Sequence, residues 1–347
     1  MLPDPRHPAV QGRLAALLTQ LDGQAFDGRT VFVTGGTGFF GYWLLSLFDL
    51  LVQRGIRLRV RALSRRPADF AGRAPYLAAQ PWLSWVQGNV RDFRDEAPAD
   101  FVLHAATDTD AAAHRQPLAI MDDILLGTRH TLAHAHACGA TRALYVSSGA
   151  VYGPQPANQE RTPEAAPHAC DACHPASAYG EAKRAAEQWS LQFGLHHGID
   201  IPVARCFAFV GAGLPLDGHF AIGNFIGDAL AGRPIHINGD GTPLRSYLYG
   251  ADLAIWLLQC LLEGKHGRAY NVGSDVAISI ADLAERVRAA LGQTNEIRLA
   301  GLAQPAAPRN RYVPDIGRAR HELGLDVWTP LDQAIRLTAA CAEGRPR

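Results

Sequence analysis

The sequence carries no excess of either charge. Its 347 residues include 33 lysines and arginines and 33 aspartates and glutamates, so the formal net charge is zero. Nucleic-acid-binding proteins usually present a basic surface, and this composition supplies no basic surplus, so we expect no nucleic-acid partner. A negatively charged ligand must instead be held by a local site.

Long apolar runs are also missing. The apolar stretches are interrupted by polar residues well before the ~18 residues that a membrane-spanning helix needs. Residues 1–28 lack a basic start followed by an apolar core, which is the pattern of a signal peptide. The sequence therefore predicts a cytoplasmic protein with no membrane partner.

Cysteine is scarce, and the six residues are too scattered for a disulfide framework. Four potential metal ligands do lie together, at His168, Cys170, Cys173 and His174, and their C-x-x-C-H spacing also occurs in haem attachment. A structural zinc site usually takes ligands from two separated pairs, and the sequence has no second pair nearby. We interpret the segment as a surface loop and predict no metal, with zinc and haem as alternatives.

Short apolar segments alternate with helical patterns through the first half of the chain. Strands are predicted at 29–34, 58–63, 83–87, 101–104, 143–147 and 201–205, and helices at 42–54, 117–138 and 180–197. Repetition of strand, helix and strand predicts an α/β fold of the Rossmann type with a doubly wound parallel sheet. Ligands bind such a sheet at the carboxyl ends of its strands.

A glycine-rich turn follows the first predicted strand. Residues 34–41 read TGGTGFFG, with glycines in the spacing G-x-x-G-x-x-G between a strand and a helix. Such a turn brings main chain without Cβ atoms close to a pyrophosphate at the helix N-terminus. We predict a dinucleotide cradle made by Gly35, Thr37, Gly38, Phe39, Phe40 and Gly41.

The end of the second strand indicates which dinucleotide is bound. A carboxylate there would bond the ribose 2′-hydroxyl of NAD, whereas arginine accommodates the 2′-phosphate of NADP. The sequence has Ser64, Arg65 and Arg66 and no carboxylate, which favours NADP, with NAD held by other contacts as the alternative. Further cofactor contacts are predicted after the third and fourth strands, at Asn89, Val90, His104, Ala105, Ala106 and Thr107.

A tyrosine and a lysine four residues apart suit proton transfer at a carbinol carbon. Tyr179 and Lys183 fall on one face of a predicted helix, so the ammonium group can stabilise a phenolate and lower the tyrosine pKa from about 10 towards neutrality. Lys183 can also bond the nicotinamide ribose, which makes both residues cofactor contacts. Ser148 would donate to the substrate oxygen. The glycine-rich turn and these three residues together predict a nicotinamide-dependent oxidoreductase.

The chain divides into three predicted parts. Residues 1–28, with a helix at 10–21, form an N-terminal helical extension. Residues 29–205, with part of 235–262, form the NAD(P)-binding Rossmann domain. Residues 206–347 form a smaller, partly interleaved α/β lobe that binds the substrate. In this lobe we predict helices at 220–230, 252–262, 280–291 and 330–342, and short strands at 235–237 and 270–272.

Seven segments together resemble one family. They lie at 34–41, 88–92, 104–107, 146–153, 179–183, 245–252 and 270–274. The chain resembles, from about 29 to 337, an extended short-chain dehydrogenase/reductase of the NAD-dependent epimerase/dehydratase family. The resemblance implies a nucleotide-diphosphate sugar as substrate, with Arg245 on the diphosphate and Ser148 and Gly149 beside the sugar. It also implies cofactor contacts from Cys206 and Phe207, and a homodimer through the helices near 117–138 and 179–197.

Two departures from the family pattern narrow the chemistry. Family members that dehydrate the sugar carry an Asp-Glu pair after the catalytic hydroxyl residue, and related decarboxylases carry a glutamate there. This chain has Gly149 and Ala150, which cannot transfer a proton, and nothing in the sequence brings Asp108 or Glu160 to the site instead. Alanine also replaces a phosphate-contacting asparagine at 208, for which Asn224 is a possible replacement.

Four functions remain open at this point. The first is a nucleotide-sugar epimerase that oxidises and re-reduces the sugar, usually at C4. The second is a nucleotide-ketosugar reductase that uses exchangeable NADPH. A 4,6-dehydratase with other acid and base residues is the third, and a non-enzymatic cofactor-binding protein the fourth. The nucleotide, the sugar and the reacting carbon are not specified by the sequence.

Overall fold

Strands and helices alternate along the residues that this computed structural model describes, which are 2–107, 115–218, 220–301 and 310–343. The strands are β1 (Thr30–Thr34), β2 (Arg59–Ser64), β3 (Leu83–Gln87), β4 (Phe101–His104), β5 (Arg142–Ser148), β6 (Val203–Cys206), β7 (Phe209–Val210), β8 (Ile235–Ile237), β9 (Leu244–Arg245), β10 (Leu248–Tyr249), β11 (Ala269–Val272), β12 (Ile278–Ser279), β13 (Ile297–Leu299) and β14 (Arg311–Tyr312). The helices are α1 (Pro8–Leu17), α2 (Phe39–Gln53), α3 (Pro67–Arg73), α4 (Pro75–Ala78), α5 (Pro117–Ala137), α6 (Ala178–His197), α7 (Ala221–Leu230), α8 (Gly250–Glu263), α9 (Ile280–Ala290), α10 (Gly317–Leu323) and α11 (Leu331–Glu343).

Seven parallel strands form the central sheet, in the order β11-β6-β5-β4-β1-β2-β3. The direction of winding reverses between β1 and β4, and a crevice opens at such a point. Thr34 at the end of β1 lies in register with Leu63 of β2 and His104 of β4. The predicted Rossmann-type sheet is confirmed, and the loops after these strands meet at one edge.

Strand β1 shows why the sheet is covered on both faces. Val31 and Val33 belong to one apolar core, while Phe32 between them belongs to the core on the opposite face. Alternate residues of a strand point to opposite faces, so an entirely apolar strand needs helices on both sides. Helices α2 and α8 contribute to the first core, and α5 and α6 to the second.

The element boundaries differ from the predicted ones in places with a local cause. Helix α2 begins at Phe39, directly after Gly38, three residues earlier than predicted. Strand β6 begins at Val203, after Pro202, which has no N–H group to donate to a ladder. In the extension, α1 starts at Pro8, because proline suits the first turn of a helix, and a short 3-10 turn follows it.

The second half of the chain is interleaved with the sheet. Strand β11 pairs with β6 as an edge strand of the central sheet, although the sequence placed it in the smaller lobe. Helix α8, within the 235–262 segment assigned in part to the sheet domain, packs against β5 and β6. The small sheets β10-β7, β12-β9-β14 and β13-β8 lie outside the central one. Among the described residues we find no helix with the length and apolarity to span a membrane.

Candidate active site

A cavity of about 1070 Å³ lies at the carboxyl ends of the central strands. One wall comes from the loops after β1 to β5, and much of the remaining lining from residues 206–209, 213–215, 218 and 220–222 together with Arg245, Tyr247, Ile280 and Tyr312. Its size and position suit a long ligand that reaches from the sheet to the smaller lobe. The predicted catalytic group and most of the predicted cofactor residues lie on its walls.

The glycine-rich turn has the geometry of a phosphate cradle. Gly35 has a φ of +76°, and a Cβ atom there would lie 2.6 Å from the Ala105 carbonyl oxygen. A Cβ on Gly41 would run into the Gly36 main chain, so Gly41 lets α2 pack closely and does not itself line the cavity. Helix α2 follows Gly38 without a side-chain cap. Its first amides suit a pyrophosphate, so the turn fits a dinucleotide.

The loop after β2 brings arginine to one end of the cavity. Ser64 and Arg65 line it as predicted, and Arg73 at the end of α3 lies on the same wall. Arg66 does not line the cavity, and its Nε lies 3.0 Å from an Asp69 oxygen on the protein surface. Arg73 was not predicted, because the helix that carries it was not recognised in the sequence.

The loops after β3 and β4 form the adjoining wall. Asn89, Val90 and residues 105–107 line the cavity. His104 lies behind this wall, between the Thr34 hydroxyl at 2.8 Å and the Thr128 hydroxyl at 3.0 Å. Burial lowers the His104 pKa to about 3, so the ring is neutral at physiological pH. It supports the loop from behind and does not face the ligand space.

Ser148, Tyr179 and Lys183 meet on one wall of the cavity. Ser148 ends β5, and the other two lie one turn apart at the start of α6. The Lys183 ammonium donates to the Thr107 hydroxyl and to the Val146 carbonyl, both at 2.8 Å. Burial lowers the Lys183 pKa to about 8, so most of it is protonated at neutral pH.

The Tyr179 pKa differs from the sequence-based expectation. Burial raises it to about 12, and a hydrogen bond with Ser148 opposes part of that rise. The expected fall towards neutrality is therefore not found, because the phenol is almost fully removed from water. In this state Tyr179 is protonated and is equipped to donate a proton.

A buried ion pair supports the catalytic wall from behind. Glu187, one turn beyond Lys183 on α6, accepts from Arg205 at 2.6 Å and from the Ser147 hydroxyl at 2.5 Å. Arg205 also donates to the Tyr152 hydroxyl at 2.9 Å. This network ties β5, β6 and α6 together beside the catalytic residues. Its members were not predicted, although the i, i+4 spacing of Lys183 and Glu187 is visible in the sequence.

Two aromatic side chains pack over Gly149. A Cβ atom on Gly149 would lie 2.8 Å from Phe207 ring atoms and from the Tyr312 hydroxyl oxygen. Phe207 and Tyr312 both line the cavity, with ring centroids 4.6 Å apart, while Gly149 does not reach it. Cys206 lines the cavity as predicted. Tyr312 was not predicted, since no sequence signal links it to the distant Ser148.

Asn224, the candidate replacement for the phosphate-contacting asparagine, does not line the cavity, and neither does the carboxylate Glu160. Asn224 donates to the Gly218 carbonyl at 2.8 Å and lines a separate pocket of about 200 Å³, which shares Ala221 and Ile280 with the cavity. Glu160 is exposed to solvent and does not line the cavity, and Asp108 lies outside the described residues.

Arg245 lines the cavity at its smaller-lobe end, as predicted. Its guanidinium donates to the Leu244 carbonyl at 2.8 Å and to the Asn310 side-chain oxygen at 3.2 Å. Burial lowers its pKa from an ordinary value that is far above neutrality, so it stays charged. A guanidinium at this place suits a diphosphate.

Two candidate metal ligands of the loop at 168–174, His168 and Cys170, form hydrogen bonds within the protein. His168 bonds the Tyr152 carbonyl at 2.7 Å and the Gln159 side-chain oxygen at 2.9 Å. The Cys170 thiol donates to the Ala150 carbonyl at 2.9 Å, whereas Cys173 is exposed. Within the described ranges, no three His, Cys, Asp or Glu residues are grouped to hold a metal ion.

A strand-turn-helix cradle, a Ser/Tyr/Lys group and a shared cavity define a dinucleotide-dependent enzyme of the short-chain dehydrogenase/reductase class. Residues 31–273, more than half of the chain, match the model of the NAD dependent epimerase/dehydratase family. The chain belongs to this family. The predicted membership and the enzyme assignment are thereby confirmed at the level of the family.

One curated relative has a decarboxylase name. UDP-glucuronic acid decarboxylase 3 of Arabidopsis thaliana is 30% identical over 67% of this chain and 65% of its own length. The chain therefore spans about two thirds of the length of that relative.

Two solved structures share the fold. One is a UDP-glucose 4-epimerase of Thermotoga maritima with UDP-glucose (TM-score 0.76, 21% identity, 90% of this chain and 98% of that one). The other is a dTDP-glucose 4,6-dehydratase of Bacillus anthracis in complex with NAD (TM-score 0.74, 18% identity, 91% and 96%). These likenesses establish the architecture alone.

Proposed function

We propose that the protein is a nucleotide-sugar epimerase that oxidises the C4 hydroxyl of a sugar and re-reduces the ketone from the opposite face. The observation that carries the proposal is the composition of the reaction wall. Ser148, Tyr179 and Lys183 supply hydride-transfer chemistry, while the described residues that pack beside Ser148 and Gly149 include Phe207 and Tyr312 and no carboxylate. Such a wall can oxidise and reduce a carbinol, but the residues that the structure describes there offer no acid and base pair for elimination.

The proton route follows from the contacts of Tyr179. In the first half-reaction the ionised phenol takes the proton of the sugar hydroxyl as the C4 hydride leaves the sugar. In the second half-reaction Tyr179 returns the proton to the ketone oxygen. Ser148 holds that oxygen, and the Lys183 ammonium favours the ionised phenol. A nicotinamide dinucleotide bound there would accept and return the hydride, and the charge of its oxidised ring would favour ionisation of Tyr179.

The substrate proposal rests on the far end of the cavity. Arg245 would bind the diphosphate of a nucleotide sugar, because its half-buried guanidinium lines the cavity and matches phosphate geometry. Asn224 would contact the nucleotide part through the smaller pocket that adjoins the cavity. Relatives in the family act on UDP- and dTDP-sugars by their names, which supports the same class of substrate here.

A ketosugar reductase is the second candidate, and two observations favour it. Arg65 and Arg73 share the wall with Ser64 where the 2′-phosphate of NADP would lie. Burial raises the Tyr179 pKa to about 12, which favours the protonated phenol that a reductase requires as its proton donor. The same arginines support our proposal that NADP is preferred over NAD. Decarboxylation is less well supported, because this chain has Gly149 and Ala150 where related decarboxylases are expected to carry a glutamate.

We also propose a homodimer through α5 and α6. These two helices pack side by side and expose four large apolar side chains, at Leu118, Leu126, Trp189 and Leu195, with exposures of 45–78%. A contiguous exposed apolar patch is typical of a protein interface, and we propose that these side chains contribute to one. An isologous dimer would cover them and leave both cavities open.

A panel of nucleotide sugars tests the reaction. UDP-, dTDP-, CDP- and GDP-hexoses, their 4-keto derivatives and UDP-glucuronic acid are incubated with NAD, NADP or their reduced forms, and the products are followed by NMR. We expect a hexose epimer with no net consumption of the dinucleotide. A reduced sugar with matching NADPH oxidation would establish the reductase instead. Release of carbon dioxide or formation of a 4-keto-6-deoxy sugar would overturn the epimerase proposal.

A further inference from the structure

The last strand of the smaller lobe delivers a hydroxyl group to the catalytic serine. Tyr312 ends β14, which pairs with β9 so that Tyr312 lies opposite Arg245. Its hydroxyl donates to the Cys206 carbonyl at 3.5 Å, and its oxygen also lies 3.5 Å from the Ser148 oxygen, where either hydroxyl can be the donor. Tyr312 therefore reaches the catalytic wall from the opposite side of the cavity.

Packing fixes this hydroxyl above Gly149. The Tyr312 ring lies against Phe207, with centroids 4.6 Å apart. A Cβ atom on Gly149 would lie 2.8 Å from the Tyr312 oxygen and from two atoms of the Phe207 ring. A residue larger than glycine at 149 would displace one of the two aromatic groups. The small residue thus makes room for the Tyr312 hydroxyl.

The hydrogen-bond partners of Ser148 limit the direction in which its hydroxyl can donate. The Ser148 oxygen already accepts from the Ala150 N–H at 3.1 Å, and the hydroxyl also bonds Tyr179. A serine hydroxyl has one proton and two acceptor sites, whereas an ionised tyrosine only accepts. When Tyr179 loses its proton before the sugar binds, the bond between Ser148 and Tyr179 persists only with Ser148 as the donor. The remaining acceptor site of Ser148 is then open to the Tyr312 hydroxyl, whose proton would turn from the Cys206 carbonyl to Ser148.

We propose that Tyr312 is a positioning residue of the proton-transfer site: its hydroxyl donates to Ser148 and thereby directs the Ser148 proton towards Tyr179. The inference rests on the proposed function only in requiring that Tyr179 transfers a proton, which an epimerase and a reductase share. Burial raises the pKa of Tyr312 well above its ordinary value, so Tyr312 keeps its proton throughout the working range.

Other titratable groups near Tyr179 have to be separated from this effect. Within the described residues they are Lys183 on α6, Cys206 on β6 and Tyr145 on β5. Burial raises the pKa of Cys206 and of Tyr145, so both stay neutral. Lys183 titrates near 8, and its protonation is unaffected by removal of the Tyr312 hydroxyl if its bonds to Thr107 and Val146 persist.

Tyr312→Phe tests the inference, because it removes only the hydroxyl and keeps the ring against Phe207. Ionisation of Tyr179 is followed in the dinucleotide-bound protein by the near-ultraviolet absorbance of the phenolate, with Tyr179→Phe to identify its signal. We expect the Tyr179 pKa to rise by roughly half a unit to one unit in Tyr312→Phe, which corresponds to the free energy of one hydrogen bond. An unchanged Tyr179 pKa would overturn the proposal.

Ser148→Ala shows whether Tyr312 acts through Ser148. In that background the serine relay is absent, so we expect Tyr312→Phe to cause no further change in the Tyr179 pKa. An equal shift with and without Ser148 would contradict the relay. Tyr247→Phe is the matched control, since Tyr247 lines the same cavity and its hydroxyl should not affect Tyr179.

A kinetic reading separates this inference from the proposed function. At a pH below the Tyr179 pKa we expect Tyr312→Phe to slow hydride transfer about three- to tenfold, with the KM for the sugar nearly unchanged. The absorbance titration needs no sugar. A wild-type protein that forms no epimer, together with a shifted Tyr179 pKa in Tyr312→Phe, would refute the epimerase and support the positioning role.

Discussion

The proposed cofactor half and the proposed sugar half of the cavity are built in different ways. The proposed cofactor half consists mainly of loops that directly follow β1 to β4, so most of its lining residues, with Arg73 as an exception, stand next to a recognisable strand. The sugar half brings Ser148 together with Phe207, Arg245 and Tyr312, which are far apart in the chain. The lining residues of the first half can therefore be recognised from local sequence patterns. Those of the second half come together only when the smaller lobe packs against the sheet.

Removal of the Tyr179 hydroxyl, which lies where the two halves meet, should have the largest effect on turnover. Tyr179→Phe deletes the proton-transfer group and leaves the ring in place, so we expect turnover to fall by about 10²–10⁴-fold. Dinucleotide affinity, measured by calorimetry, should stay close to that of the wild type. Turnover within about threefold of the wild type would remove Tyr179 from the mechanism.

Gly35→Ala tests whether the cofactor half depends on its local backbone geometry. Gly35 and Gly139 have φ values of +76° and +78°, so alanine is strained at either position. Only at Gly35 does the new methyl group meet main chain, at Ala105. We expect Gly35→Ala to lower the free energy of unfolding by about 1–3 kcal/mol more than Gly139→Ala, in urea titrations.

Dinucleotide binding completes that comparison. Gly35→Ala should weaken it, because the displaced turn no longer fits a pyrophosphate, whereas Gly139→Ala should leave it unchanged. Equal effects of the two substitutions on binding would mean that the turn at Gly35 is not the phosphate cradle.

Substitution of Arg65 or Arg73, the two arginines in the proposed cofactor half, should have a smaller effect than the changes above, and only on dinucleotide binding. Arg65→Ala and Arg73→Ala should each weaken NADP(H) binding by about tenfold, the worth of a charge-assisted hydrogen bond, and leave NAD(H) binding nearly unchanged. Arg66→Ala is the matched control, because Arg66 pairs with Asp69 at the surface. Equal affinities of the wild type for the two dinucleotides in calorimetry would refute the NADP preference.

The proposed dimer lies outside both halves, so its disruption should have the smallest effect on catalysis. Leu126→Glu with Trp189→Glu places charges on the exposed face of α5 and α6, and light scattering should then give the mass of a monomer. Val276→Glu, at another exposed apolar residue, should not change the mass. A wild type that is monomeric at micromolar concentration would contradict the dimer.

The fold was predictable where a local pattern determines it. The apolar strands and the glycine-rich turn led to the confirmed Rossmann-type sheet, and Tyr179 and Lys183 were identified by their helical spacing. Strand β11 was placed in the smaller lobe because its pairing with β6 depends on residues more than sixty positions earlier.

The site was less predictable than the fold for the same reason. His104 ends β4, next to the loop that lines the cavity, yet its ring bonds Thr34 and Thr128 behind the wall. Asn224 was a reasonable substitute by position, but its side chain lies in the adjoining pocket. Tyr312 reaches Ser148 only through the pairing of β14 with β9, which no local pattern encodes. Burial, which raises the Tyr179 pKa, is likewise a property of the assembled cavity.

The central claim is that hydride leaves and returns to the same sugar, and isotope retention tests it most directly. A nucleotide hexose carrying deuterium at C4 is incubated with the protein, and the product is analysed by NMR and mass spectrometry. We predict the C4 epimer with its deuterium retained and no label in the released dinucleotide. Loss of the deuterium to exchangeable dinucleotide, or its transfer to C6 of a 4-keto-6-deoxy sugar, would contradict the epimerase account.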